Sequence, residues 1–172
     1  IAIYGHFAIV APLVAALGPA PDSVTARPCD GPQAQWPATV RFLDGLERHA
    51  TRMLRTSQTA RQQCRAIASR RAYVRVQIDP RLGTRSFRAR SVVYRTVEGP
   101  IVAFVGIGAH GDPAEWIAHE LEHVIEQLEG VRLEALRRRA HGAWESGDRM
   151  FESDRAIRVG RLVRHEVGAP GQ

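Results

Sequence analysis

Two histidines stand four residues apart in His119-Glu120-Leu121-Glu122-His123, with a glutamate directly after the first. On an α-helix this spacing puts both imidazoles on one face, about 6 Å apart along the axis, within reach of one metal ion. Glu120 falls beside that face. Its carboxylate can take a proton from a water polarised by the metal without being a ligand itself. Metal-assisted hydrolysis uses that set: paired nitrogen ligands, an open coordination position and a base next to it. The competing reading is a polar helix face with two ordinary histidines, and the helical setting of the motif favours the first.

The helix that must carry the motif marks its own ends. Asp112-Pro113-Ala114-Glu115 combines a capping side chain, a proline suited to the first helical position and a glutamate where a capping box needs it. Gly130 supplies the stop. Upstream, Tyr73 to Ile78 reads as a strand ended by Asp79-Pro80, and Ser86 to Val97 is rich in β-formers. After the turn Glu98-Gly99-Pro100, the nearly continuous apolar run Ile101 to Ile107 reads as a strand buried on both faces. The short last turn predicts antiparallel pairing in a small sheet of about three strands. Ala38 to Ser69 lacks proline, and Phe42, Leu46, Met53, Leu54, Ala60, Cys64 and Ile67 fit a helical stripe, as one long helix or two shorter ones. Arg132 to His141 and Gly147 to Val167 read as further helices. The expected fold is α+β: an N-terminal backing helix, a small three-stranded sheet, the motif helix, then C-terminal helices.

A chain of 172 residues, 44% hydrophobic, suits one domain with a real core. Residues 1–26 read as a signal peptide or apolar leader: Ile1 to Gly18 has no charged side chain, and Val24-Thr25-Ala26 offers small residues for cleavage. Pro12 and Gly18-Pro19-Ala20-Pro21 argue against a stable membrane span. Residues 27–37 form a proline-rich linker, and 38–172 the expected functional domain. The predicted location is secreted or periplasmic. Two cysteines, Cys29 and Cys64, either form a disulfide pinning the N-terminal arm to a helix or remain two thiols; their spacing is not a metal-binding one. The net charge is +6, and all 24 basic residues are arginine. That describes a solvated basic surface or one that attracts anionic partners. No nucleic-acid motif accompanies it, and aromatics are only 6%, so no specific nucleic-acid partner is expected.

The motif, on a helix that follows a small sheet with a helix before it, resembles the zincin metallopeptidases. The resemblance covers residues 38–167 in architecture and five residues at motif level. Gln127 to Glu129 supply neither the glycine nor the third histidine of the extended motif, so the chain resembles the gluzincin branch, whose third ligand is a glutamate on a later helix. The resemblance implies a bound Zn2+, a peptide or protein substrate, Glu120 as catalytic base, and His119, His123 and a downstream acid as ligands. Glu152 fits that third place, 29 residues after His123, with Asp148, Asp154 and Glu145 as rivals. Glu126, about 10 Å of rise beyond His119, is too far to share the ion. An acid often found four residues after the ligand glutamate is replaced by Ala156, leaving its supporting role to Asp148 or Asp154. Ile101 to Ile107 would be either a rim strand pairing with substrate or a core strand. His141, His165, Tyr94, Arg155 and His110 are candidates for oxyanion stabilisation. The alternative function is a non-catalytic zinc-binding interaction protein on the same scaffold.

Overall fold

A computed structural model of the chain describes residues 2–3, 29–70, 72–82, 88–95, 99–133, 142–145 and 150–168. The strands are β1 (Ala2–Ile3), β2 (Val40–Phe42), β3 (Ala72–Ile78), β4 (Ala89–Arg95), β5 (Ile101–Ile107), β6 (Ala143–Glu145) and β7 (Met150–Ser153). The helices are α1 (Glu47–Thr56), α2 (Gln58–Ala68), α3 (Pro113–Leu128) and, here numbered α4, Asp154–Gly168. The order is that of an α+β domain with the motif helix after the sheet.

The sheet is wider than three strands, with the order β2-β3-β5-β4-β1-β7-β6. β4 and β5 pair antiparallel, in keeping with the few residues that separate them in sequence. β5 then inserts between β4 and β3, and it runs parallel to β3. The all-antiparallel expectation is corrected by that placement. β5 also alternates: Ile101, Ala103, Val105 and Ile107 are buried, while the residues between them are half-buried. It has hydrogen-bonded neighbours on both sides, so it is a central strand, not a rim strand.

The expected backing helix is two helices preceded by the short β2. Ser57 breaks them apart in extended conformation and caps α2, its Oγ accepting from the Ala60 N–H at 2.9 Å. Cys29 and Cys64 form a disulfide that fixes the arm to α2, with Ala34 and Leu54 buried around it. The core lies between β3–β5 and the helices, where Val74, Val76, Val105 and Ile107 meet Met53, Ile67, Ile117, Leu121 and Val124. α3 packs on β4 and β5 and is flanked by α1, α2 and α4.

Ala2–Ile3 joins the sheet between β4 and β7. The rest of the expected leader and the start of the linker lie outside the described residues, as does the helical piece expected over 132–141 from residue 134 on. Among the described residues no helix is long and apolar enough to cross a membrane.

Candidate metal centre

Local sequence builds α3 as expected. Asp112 Oδ1 accepts from the Ala114 N–H at 2.9 Å, with Pro113 in the first turn. At the other end Gly130 takes φ +79°, its N–H reaching Gln127 O and the Val131 N–H reaching Glu126 O, a Schellman closure. Between these ends every residue from Ile117 to Gln127 is buried. The polar ones among them therefore need partners.

His119 and His123 present neighbouring rings, 5.0 Å apart between centroids. One oxygen, Glu152 Oε1, lies 3.2 Å from His119 Nε2 and 3.1 Å from His123 Nε2. Three donors bound to one ion at zinc-like lengths and tetrahedral angles would stand about 3.3 Å apart. Two of the three separations match that value, and all three donor atoms lie within 4.8 Å of one another. Among the described residues these three form a group able to hold a metal ion. Glu152 reaches them from β7, one residue before Ser153 and two before α4. The helix predicted from Gly147 begins only at Asp154, so the third member comes from a strand end.

Around this group sits an arrangement that sequence reading missed. His123 Nδ1–H donates to Glu126 Oε2 at 2.9 Å, which leaves Nε2 directed at Glu152. Glu126 Oε1 accepts from Ser153 Oγ at 2.8 Å, and that oxygen in turn accepts the Ala156 N–H at 3.0 Å, capping α4. The support expected of Asp148 or Asp154 is thus given by Glu126. Its signal was the spacing of three from His123. Asp154 is exposed and its N–H donates to Gly142 O. Glu145 lies on β6, exposed. Asp148 is outside the described residues.

Burial alone would lower the His123 pKa, but the Glu126 and Glu152 carboxylates on its two nitrogens raise it overall, with Glu120 adding to the effect. For Glu152 burial would raise the pKa, and its bonds to His119 and His123 hold it far below the usual carboxylate range. Glu120 itself is 1% exposed. Glu122, three residues after His119 on α3, accepts from Gln63 Nε2 at 2.7 Å and from Arg155 Nε at 2.6 Å.

The oxyanion candidates are dispersed. Tyr94 is exposed and edge-on to Phe104, Arg155 is engaged by Glu122 and Glu129, and His110 and His165 are exposed. His141 lies outside the described residues. Fold and site together define an α+β protein with a buried His-His-Glu group that could hold a metal ion. Compared with known proteins, the chain matches no family model, no curated protein and no solved structure.

Proposed function

We propose that the chain is a zinc-dependent metallopeptidase of gluzincin type. The observation that carries this reading is the convergence of Glu152 Oε1 on both motif histidines, with Glu120 buried next to His119. His119, His123 and Glu152 would hold the ion. Zinc, when bound, supplies Lewis acidity that makes a water nucleophilic near neutral pH. Glu120 accepts the proton of the attacking water and passes it to the leaving amine. Glu126 and Ser153 hold His123 in the tautomer that offers Nε2. The Cys29–Cys64 disulfide supports an exported protein, since such bonds persist in oxidising compartments.

The test is zinc per chain in the wild type and in His119→Ala, followed by hydrolysis of a broad peptide library by the wild type and Glu120→Gln. One zinc, lost in the first variant, with hydrolysis lost in the second while zinc is retained, supports the reading. Undiminished hydrolysis by Glu120→Gln removes the base from it.

A second reading is a zinc-binding interaction protein without catalysis. It is favoured by the state of the described oxyanion candidates: Tyr94, His110 and His165 are exposed, and Arg155 is engaged by Glu122 and Glu129. One zinc per chain with no hydrolysis across the library would select it.

A further inference from the structure

Trp116, His119 and His123 follow one another along a single stripe of α3, three and four residues apart. The Trp116 and His119 rings lie 6.0 Å apart between centroids. Trp116 also lines a cleft of about 740 Å³ between the first half of α3 and the last half of α4. This is large enough for an amino-acid side chain together with its flanking backbone.

The cleft is basic. Arg88, Arg161 and Arg164 line it with His165, against one acidic group, Glu115. Arg164 is already committed, with Nη1 2.9 Å from Glu115 Oε2. Arg88 sits over the Trp116 ring, 5.7 Å from its centroid, and so is held at the wall nearest the histidines. Among the described residues no carboxylate pairs with Arg88 or Arg161. Two exposed guanidiniums thus line the cleft without a carboxylate partner among the described residues, beside Trp116, which stands one turn before His119. Guanidinium suits carboxylates because its fork donates two parallel hydrogen bonds.

We infer that this cleft is a specificity pocket for an acidic side chain of the peptide whose scissile bond lies at His119, His123 and Glu152. The inference rests on the metallopeptidase reading for the position of the peptide, but the pocket's preference for a carboxylate is measurable without turnover. Arg161 would bind the carboxylate from α4 and Arg88 from the wall that Trp116 supports.

The experiment is calorimetric titration of the full-length Glu120→Gln chain with two acetylated, amidated alanine pentapeptides that differ only in a central glutamate or glutamine. The glutamate peptide is expected to bind about tenfold more tightly, the scale of one charge-assisted contact. Arg161→Gln and Arg88→Gln should each reduce that preference. Equal affinities, no binding of the glutamate peptide, or a preference indifferent to both arginines overturns the inference. Tighter, arginine-dependent binding of an oligonucleotide of equal charge also overturns it. Failure of the metallopeptidase reading shows separately, as absent zinc or undiminished hydrolysis by Glu120→Gln.

Discussion

Ser153 and Glu126 are joined across the α3–α4 junction: the serine hydroxyl donates to Glu126 Oε1 at 2.8 Å while accepting the Ala156 N–H at 3.0 Å. One side chain thus starts a helix and steadies the carboxylate behind His123. Ser153→Ala removes both functions. The expected result is a loss of about 1–2 kcal/mol in denaturant unfolding and a zinc affinity weakened roughly 10-fold in a chelator competition. Ser153→Thr should restore most of both. An unchanged zinc affinity in the alanine variant would detach the serine from the site.

Gly160 brings α4 close to α3. A β-carbon there would stand 2.9 Å from the Glu115 carbonyl oxygen and 3.1 Å from His119 Cβ. Alanine gains about 1 kcal/mol of helix propensity, and overpacking costs about 1–3 kcal/mol. Backbone is the obstacle, so the second effect wins. Gly160→Ala should lower the thermal midpoint and weaken zinc binding. Gly168→Ala, with nothing within 4 Å of the new carbon, should do neither.

Arg155 links the buried Glu122 to the exposed Glu129. Arg155→Met leaves Glu122 with Gln63 as its hydrogen-bonding partner and is expected to cost about 2–3 kcal/mol in chemical denaturation, most of it from the stranded carboxylate. The Glu129 half of this link is pH-dependent. The bond to Arg155 lowers the Glu129 pKa below its ordinary 4.5. A lowered folded pKa contributes stability above the unfolded value and loses it as pH falls through the folded value. The stability gap between wild type and Glu129→Gln should therefore be full above pH 4.5 and close below it. Its size should be at most about 1 kcal/mol, because the pair is screened by solvent. A gap that widened in acid would refute the assignment.

The Cys29–Cys64 bond closes a loop with a sequence separation of 35. Chain entropy assigns such a loop about 4 kcal/mol, and measured values often fall below this. Cys29→Ala with Cys64→Ala should lower unfolding stability by roughly 2–4 kcal/mol. The zinc content should stay the same, because neither cysteine belongs to the His-His-Glu group. Loss of zinc in that variant would mean that the arm also shapes the site.

The motif, the Asp112 cap and the Gly130 stop were legible because each is a local pattern within one helix. Glu152 was legible only as a matter of span, through the 29 residues that separate it from His123. Its strand was not, since Met150–Ser153 is too short to show alternation and runs directly into a helix. β2 was hidden for the same reason: Phe42 also fits a helical stripe that continues to Leu46. The parallel pairing of β3 with β5 depends on β4 crossing to the far side of β5, which no local pattern records. Glu126 was rightly too distant to share the ion with His119. Its place behind His123 needed attention to the other ring nitrogen.

The tight crossing at Gly160 bears on which ions the site can accept. Gly160 sets the backbone of α4 against His119 Cβ, so the His119 main chain is held by helix packing rather than by the ion, while Glu152 stands on β7, two residues before α4. Two imidazoles and one carboxylate suit small ions with short, directional bonds. Calcium, which takes an oxygen shell at longer distances, is poorly suited to one carboxylate and two imidazoles.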